Sequence, residues 1–279
     1  MHVGITIFAT DQSIGVVELA REAESRGFHS LFVPEHTHIP VGRRTPAPTG
    51  GELPEMYRRC LDPIAALSAC AAVTQRLVLG SGISLVAQHE PIGYAKAWAT
   101  LDHLSGGRTV FGVGFGWNED EMEHHGVDMH TRRERVREHV AAMTALWTDD
   151  EASFDGEFVE FSPSWSWPKP VQRPRPPVLL GGGAGPKLFA HLCEWADGWM
   201  PIGGGGLSKA LPELERTWSE AGRDGTPVVV PFGVMPSPGK IDHYASLGLH
   251  EVVLSLPSAP RDEVLTVLDS YARYVAGDA

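Results

Sequence analysis

The chain has 279 residues, of which 42% are hydrophobic and 21% are charged, so it can bury the core of an ordinary globular protein. Its 23 Lys and Arg residues against 35 Asp and Glu residues give a net charge of −12. Such a surface field repels polyanions, and no apolar stretch approaches the ~20 residues that cross a bilayer, so neither nucleic acid nor a membrane is an expected partner.

Short runs rich in Val, Ile, Leu and Phe alternate along the chain with longer segments of helical period, which predicts a parallel sheet with crossover helices. The predicted strands are residues 3–8, 30–33, 77–85, 109–114, 177–180, 198–201, 228–234 and 251–256. The predicted helices are residues 13–26, 62–74, 92–104, 132–147, 186–195, 208–221, 240–247 and 261–276. Such repeated units, in about the ~250 residues usual for the fold, predict a single α/β domain over residues 1–279, a (β/α)8 TIM barrel. An open doubly wound sheet is the alternative.

Two stretches, residues 39–59 and 149–176, are too long and too polar to be ordinary connections. The first follows the second predicted strand and therefore leaves the rim where barrel enzymes place their sites. We expect it to form a lid. The second follows the fourth predicted helix, and we expect a strap on the opposite side of the barrel. Disordered insertions are the alternative for both stretches.

Glycines are concentrated at predicted strand ends, in residues 80–82, 112–116, 181–185 and 203–206. The missing Cβ atoms let the backbone approach a flat or anionic ligand closely. Residues 181–185 also lead from a strand into a helix, whose free N–H groups favour phosphate. Plain tight turns are the alternative explanation for each cluster.

His36 closes the second predicted strand, where a barrel enzyme can use an imidazole as an acid or base near neutral pH. A purely structural histidine is the alternative. His36 and His38 could also begin the metal site of a barrel hydrolase. That site needs further ligands at later strand ends, and residues 199–201 and 254–256 supply none, so we expect no metal.

The N-terminal residues and the cysteines indicate the compartment. No basic flank precedes the first apolar run, unlike in a signal peptide. Cys60, Cys70 and Cys193 stand at scattered spacings, which indicates reduced thiols without a disulfide framework. We therefore expect a cytoplasmic protein.

The most specific stretch of the sequence is residues 99–117, which ends in Gly112-Val113-Gly114-Phe115-Gly116-Trp117. It closely resembles the signature of the luciferase-like monooxygenases and their F420-dependent relatives. Residues 35–36, 79–83, 169–182 and 196–199 follow the same family's order, so the resemblance covers nearly the whole chain. Much of the signature is architectural in this interpretation, with Asp102 and Arg108 able to pair on the stability face of the barrel.

The resemblance implies a barrel that binds a flavin or deazaflavin at its C-terminal mouth, often as a homodimer. By matching motif positions, the residues expected at the cofactor are Gly82, Ile83, Gly114, Phe115, Gly181, Gly182, Gly183, Ala184, Gly185, Pro201, Ile202 and Gly203. In the F420 branch the peptide between Gly82 and Ile83 is expected to be cis. His36, with the neighbouring Glu35, is the implied catalytic pair, which would orient a small-molecule substrate or exchange a proton with it.

F420 is the predicted cofactor and FMN the alternative. The arginines of the predicted lid, Arg43, Arg44, Arg58 and Arg59, could accept the acidic polyglutamate tail of F420. They could equally keep a mobile loop soluble. The implied activity is an F420-dependent oxidoreductase. The alternatives are an FMN-dependent monooxygenase that uses O2, a barrel metal hydrolase, and a barrel that binds a cofactor without turnover.

Phe115 stands where some F420-dependent sugar-phosphate dehydrogenases have a catalytic Glu, so a sugar phosphate is not the expected substrate. Glu119 and Glu121 are further candidate acids, although for Glu121 an ion pair at a helix start is the favoured interpretation. Trp165 and Trp167 hint at an apolar or planar substrate, but such side chains more often pack.

Overall fold

Eight parallel strands surround the core in a computed structural model that describes residues 1–48 and 50–275. The strands along the chain are β1 (His2–Thr6), β2 (Ser30–Val33), β3 (Val78–Ser81), β4 (Thr109–Val113), β5 (Ala152–Asp155), β6 (Glu160–Ser164), β7 (Val178–Gly181), β8 (Gly198–Met200), β9 (Val228–Val229) and β10 (Glu251–Ser255). All but β5 and β6 form one sheet, in the order β10-β1-β2-β3-β4-β7-β8-β9. A parallel bridge between Val234 and Leu254 joins its two ends. The predicted barrel is therefore confirmed, and the open sheet is wrong.

Helices cover the outside of the barrel between successive strands. They are α1 (Val16–Ser25), α2 (Pro63–Ala71), α3 (Pro91–Ser105), α4 (Glu119–His124), α5 (Arg132–Thr148), α6 (Pro186–Trp195), α7 (Leu207–Glu220), α8 (Pro238–Ser246) and α9 (Arg261–Val275). The short helix α4 was not predicted. Within the described ranges, no helix combines the length and the hydropathy needed to cross a bilayer. Ala276, the predicted end of the last helix, lies outside the described residues, as does Thr49 of the predicted lid.

Local signals mark the start of α2 and the end of α3. Asp62 begins α2, because its carboxylate accepts a hydrogen bond from the backbone N–H of Ala65 at 2.8 Å and Pro63 follows it. Gly106 ends α3 in the left-handed conformation, with φ of 70°.

A layer of apolar side chains fills the inside of the barrel below this rim. Its buried members are Phe32, Leu179, Met200, Val230, Phe232 and Val253. Gly80 leaves the room that Phe32 occupies, since a Cβ there would lie 2.2 Å from the Phe32 ring. This layer closes the barrel from below and leaves its C-terminal mouth open.

Residues 149–176 are ordered and cross the N-terminal side of the barrel. After the β5–β6 hairpin, Gln172 donates a hydrogen bond from Nε2 to Asp102 Oδ1 at 2.7 Å, beside the start of β4. Asp102 also accepts a hydrogen bond from the Thr109 hydroxyl at 2.6 Å. The expected pairing of Asp102 with Arg108 is therefore wrong. Arg108 instead donates to backbone carbonyls at the end of α2, including Thr74 O at 3.0 Å.

Candidate active site

A cavity of about 500 Å³ opens at the C-terminal rim of the barrel. Residues following every one of the eight barrel strands contribute to its wall. Pro48, Met56 and Tyr57 of the segment after β2 line it from the lid side. The volume falls within the ~300–1,000 Å³ of ordinary small-molecule sites.

His36 and Glu121 form a buried dyad in this cavity. His36 follows β2, Glu121 belongs to α4, and His36 Nδ1 lies 2.7 Å from Glu121 Oε2. The Glu121 side chain is 0% exposed and that of His36 is 6% exposed. Because Glu121 engages Nδ1, Nε2 is the ring nitrogen of His36 left for a ligand.

Glu121, a candidate acid for which an ion pair at a helix start is the favoured interpretation, contacts His36. Its carboxylate pairs with no arginine or lysine among the described residues. It accepts hydrogen bonds from His36 and from the backbone N–H of Thr37, the latter at 3.3 Å. The signal that could have identified it is its place in the connection after β4, where the chain leaves the active-site rim.

Two aromatic rings enclose the His36 imidazole. Tyr57 from the lid and Trp117 from the connection after β4 lie 5.4 and 5.7 Å away between ring centroids. They contact each other edge to face at 6.0 Å. The sequence did not single out either ring for this place. Together they limit the orientations of His36 and exclude water from one side of it.

Glu35, the other predicted catalytic residue, has both carboxylate oxygens engaged. Oε2 accepts a hydrogen bond from Leu85 N at 2.6 Å, and Oε1 lies 2.7 Å from His89 Nε2. Its side chain is 2% exposed. Glu35 thus ties the end of β2 to the segment that follows β3. These contacts favour a positioning role over direct contact with reacting atoms.

Ile83 forms a raised patch on the cavity floor. The Gly82–Ile83 peptide is cis, as the sequence resemblance implies. A Cβ on Gly114 would lie 1.5 Å from Ile83 Cδ1, and a Cβ on Gly82 would lie 2.2 Å from the Phe232 ring. The glycines thus let Ile83 settle into the barrel mouth, where a flat ring can rest against it.

The structure divides the predicted cofactor residues into two groups. Those that line the cavity are Gly82, Ile83, Phe115, Gly181, Gly182 and Ile202. Those outside its lining are Gly114, which packs behind Ile83, together with Gly183, Ala184, Gly185, Pro201 and Gly203. Gly183 to Gly185 lead into the first turn of α6, beside the cavity wall formed by Gly181 and Gly182.

These walls fit a planar ring that carries an anionic tail. Ile83 and the neighbouring glycines offer a Cβ-poor floor, and the amide-rich start of α6 adjoins the wall. Arg132 and Arg133 at the start of α5 also line the cavity, although no sequence motif singled them out. The residues present are therefore compatible with a flavin or a deazaflavin.

Three of the four lid arginines already pair with carboxylates of the protein, whereas Arg43 donates to the carbonyl of Thr45. Arg44 contacts Asp120 at 2.7 Å, and its guanidinium holds the pKa of the Asp120 carboxyl well below its usual range. Arg59 contacts Asp11 at 2.8 Å, and both Arg58 and Arg59 contact Glu55. These pairs anchor the lid. The expectation that this cluster awaits an acidic tail is not supported.

Two tryptophans of the strap and two histidines at the end of α4 lie outside the cavity lining. Trp165 and Trp167 lie in the strap, outside the cavity lining, and are 79% and 55% exposed, so they say nothing about the substrate. His124 and His125 contact the segment after His36. His124 Nδ1 lies 2.8 Å from His38 Nε2, and His125 Nε2 lies 2.7 Å from the Thr37 hydroxyl.

The remaining polar groups do not assemble a metal centre. Across residues 1–48 and 50–275, no cluster of three or more His, Cys, Asp and Glu side chains is arranged to hold an ion. Cys60, Cys70 and Cys193 are free thiols, and burial raises the pKa of Cys60 to about 11. The observed clusters thus do not support a barrel metal hydrolase built on His36 and His38.

Residues 8–271 match the family model described as luciferase-like monooxygenase. The chain belongs to this family. An uncharacterized protein of Mycobacterium tuberculosis is 45% identical to this luciferase-like protein over 280 residues, which are 99% of each chain.

Two relatives of this luciferase-like protein have assigned activities. The F420-dependent glucose-6-phosphate dehydrogenase of Nakamurella multipartita is 29% identical over 75% of this chain and 59% of its own length. The FMNH2-dependent dimethylsulfone monooxygenase of Pseudomonas putida is 33% identical over 46% of this chain and 36% of its own. The family thus contains relatives of both cofactor types.

Solved structures support the barrel. The monooxygenase RslO1 from Streptomyces bottropensis superposes with a TM-score of 0.81 at 20% identity, covering 100% of this chain and 99% of its own. An F420-dependent secondary alcohol dehydrogenase superposes with a TM-score of 0.75 at 18% identity, covering 98% of each chain. At these identities the likeness shows the fold alone.

Proposed function

We propose that this luciferase-like protein is an F420-dependent oxidoreductase, which moves a hydride between bound deazaflavin and a small organic molecule. The observation that carries the proposal is the His36–Glu121 dyad on the wall of a largely apolar cavity. Converting a carbinol to a carbonyl, or the reverse, requires one proton transfer beside the hydride. A positioned imidazole supplies that transfer.

Ile83 and Gly82 would support the ring of the cofactor, while Phe115, Gly181 and Gly182 would border it. Bound deazaflavin supplies the hydride chemistry that side chains lack. The protein itself orients the substrate and keeps water from the reacting carbon. Tyr57 and Trp117 do both, because they close the space around His36.

The proton step assigns distinct roles to the dyad. In the oxidative direction, His36 Nε2 accepts the proton of the substrate hydroxyl while the hydride leaves the same carbon. In the reductive direction, Nε2 returns that proton to the oxygen. Glu121 holds the proton on Nδ1 and stabilises the imidazolium that forms. A positioned acid or base of this kind contributes ~10²–10⁴-fold in rate.

The second candidate is an FMN-dependent monooxygenase. The FMNH2-dependent relative of Pseudomonas putida supports it, since the apolar floor would accept either ring system. In that case reduced flavin and O2 would replace the hydride exchange, and the dyad would act on an oxygenated substrate.

Cofactor titration separates these candidates. We expect the purified protein to change the fluorescence of F420 saturably at micromolar concentration and to leave FMN unaffected. A panel of small alcohols and ketones is then followed by the absorbance of F420, with His36→Ala as the variant. We expect the variant to bind F420 normally and to turn over at least ~100-fold more slowly. Binding of FMN alone, with O2 consumption by its reduced form, would overturn the proposal.

We propose that the protein takes a small-molecule substrate and forms a homodimer in the cytoplasm, without binding nucleic acid or a membrane. Light scattering on the purified chain tests the homodimer directly, because a monomeric mass at micromolar concentration would contradict it.

A further inference from the structure

We propose that a second cavity, separate from the active site, binds a free amino acid in its zwitterionic form. This cavity measures about 370 Å³, within the ~300–1,000 Å³ of ordinary small-molecule sites. It shares no lining residue with the active-site cavity, so the inference does not depend on the proposed function. Its walls include the segment after β3, the first half of α5 and the tip of the β5–β6 hairpin.

The hairpin wall of the second cavity is fixed by a buried carboxylate. Glu138 on α5 accepts hydrogen bonds from the backbone N–H groups of residues 157–159, at 3.0, 2.5 and 2.6 Å. Arg135, almost one turn earlier on α5, donates to the carbonyl of Gly126 at 3.0 Å. These contacts hold both sides of the cavity, which is therefore a formed site and not a gap between loose segments.

Three polar atoms of the lining residues are buried without a hydrogen-bond partner in the described part of the chain. They are Gln88 Oε1, Arg135 Nε and His139 Nε2. His139 as a whole is only 1% exposed. The neighbouring imidazole of His89 is already engaged, because its Nε2 lies 2.7 Å from Glu35 Oε1. Buried polar atoms without partners cost free energy, and a bound molecule that satisfies them recovers that cost.

The three unpartnered atoms are of two kinds. Gln88 Oε1 is a carbonyl oxygen and accepts. His139 Nδ1 lies 3.2 Å from the backbone carbonyl of Val86, which can only accept, so Nδ1 carries a proton. Burial lowers the pKa of His139, so its ring is largely neutral at pH 7 and Nε2 is a second acceptor. Arg135 Nε, in contrast, donates. The ligand must therefore both donate and accept hydrogen bonds.

The charges of the lining indicate that the ligand is itself charged. Arg135 forms no ion pair with a described carboxylate, although Glu160 lines the same cavity. Glu90, the other lining carboxylate, already accepts hydrogen bonds from backbone N–H groups at the start of α3, at 2.8 and 2.7 Å. The cavity thus keeps a cation and a carboxylate apart. A zwitterion can pair with both, and a guanidinium binds a carboxylate through two parallel hydrogen bonds.

Simpler ligands match these walls less well. An anion without a donor would place its lone pairs against those of Gln88 and His139. An amine without a carboxylate would face the Arg135 guanidinium and leave its Nε unsatisfied. A neutral carboxamide would leave the charge of Arg135 without a counter-ion. In an amino acid, the ammonium group donates to the two acceptors and the carboxylate accepts from Arg135.

Calorimetric titration of the full-length protein tests the site, first without cofactor. The probes are the standard amino acids, each titrated singly. The best binder is then compared with the analogues that lack its amine or its carboxylate, which for alanine are propanoate and ethylamine. We expect at least one amino acid to bind saturably, and both of its analogues to bind at least ~10-fold more weakly, because each loses hydrogen bonds between charged groups.

Two variants remove the proposed contacts one at a time. Arg135→Gln removes the cation, and Gln88→Met removes the amide at similar size. We expect each variant to weaken amino-acid binding by at least ~10-fold. Gln88→Met should keep the Tm of the natural protein or raise it, whereas loss of a structural hydrogen bond would lower it. Arg137→Gln is the matched control, since Arg137 lies on the same helix, pairs with Glu134 at 3.0 Å and lines neither cavity.

Repeating the titration with the active site filled by saturating F420 or FMN shows which cavity is occupied. Undiminished amino-acid binding supports the second site, whereas displacement by the cofactor overturns it. The inference also fails if no amino acid binds, if the truncated analogues bind equally well, or if Arg135→Gln keeps the natural affinity. A protein that uses FMN in place of F420 would overturn the proposed function and leave this inference intact.

Discussion

Glu121 Oε2 lies 2.7 Å from His36 Nδ1, although 85 positions separate the two residues along the chain. The pair joins the connection after β2 to the helix after β4 across the barrel mouth. Because Glu121 is fully buried, its carboxylate has few competing partners and fixes which imidazole nitrogen carries the proton.

Replacing Glu121 by Gln tests this relationship. A neutral amide can bond the other tautomer equally well, so we expect turnover to fall by ~10²-fold or more, with unchanged cofactor affinity. The pH profile of turnover should also shift, whereas a merely structural role would leave it alone. Glu119→Gln, two positions away and outside the cavity lining, is the control. Normal turnover and an unshifted profile in Glu121→Gln would contradict the assignment.

Gly114→Ala tests the support of the cofactor floor. The new Cβ would lie 1.5 Å from Ile83 Cδ1, so Ile83 must move toward the ring site. We expect ~1–3 kcal/mol of lost stability and at least tenfold weaker cofactor binding. Gly239→Ala is the matched control, since its Cβ would meet nothing within 4 Å and it lies outside the cavity lining. Equal cofactor affinities for the two variants, in titrations monitored by fluorescence, would show that Ile83 does not support the ring.

Glu251 makes stability depend on pH. Burial raises the pKa of its carboxyl to about 7, although its hydrogen bond with the Ser30 hydroxyl acts in the opposite direction. Because the pKa is raised in the folded state, the contribution of Glu251 to the free energy of unfolding is fully present below its unfolded pKa near 4.5. That contribution is lost as pH rises through 7. We expect Glu251→Gln to be more stable than the natural protein at pH 8 by about 3 kcal/mol, and to lose this advantage at pH 4.5. Thermal melts across this range, with exposed Glu263→Gln as control, would refute the assignment if both variants showed the same profile.

His29 gives a dependence of the opposite sign. Burial, with added repulsion from His2 and His250, lowers its pKa to about 4. Its contribution to stability is present above the unfolded pKa of 6.5 and is lost as pH falls toward 4. We therefore expect the Tm of His29→Gln to fall less between pH 7 and pH 5 than that of the natural protein. His130→Gln, at an exposed histidine in a loop, should follow the natural profile. A steeper fall in His29→Gln would contradict this explanation.

Periodicity was sufficient to locate the eight barrel strands because most of their residues are buried and therefore form apolar runs, although of the predicted strand 228–234 only Val228–Val229 forms β9. Caps such as Asp62 and Gly106 act within one helical turn, so their effect was visible locally. The β5–β6 hairpin and the short helix α4 were missed. Neither has a strong period of its own, and both are held by packing against distant segments.

The candidate site was only partly accessible to sequence reasoning. His36 and the strand-end glycines were identifiable because barrel topology brings all strand ends to one rim. The partners of charged groups were not. Arg44 meets Asp120, Arg108 meets backbone carbonyls, and Arg133 meets no described carboxylate.

The amino-acid sequence by itself determined the barrel, its family, and the rim at which a ligand would bind, because these follow from short-range periodicity and from local motifs. Only the tertiary structure decided that Glu121 faces His36, that Glu35 contacts Leu85 and His89, and that Arg132 and Arg133 line the cavity. The physical reason is that hydrogen bonds and ion pairs act over a few ångströms in space. Residues that are far apart in the chain compete for each such partner, and only the folded packing settles which of them is near.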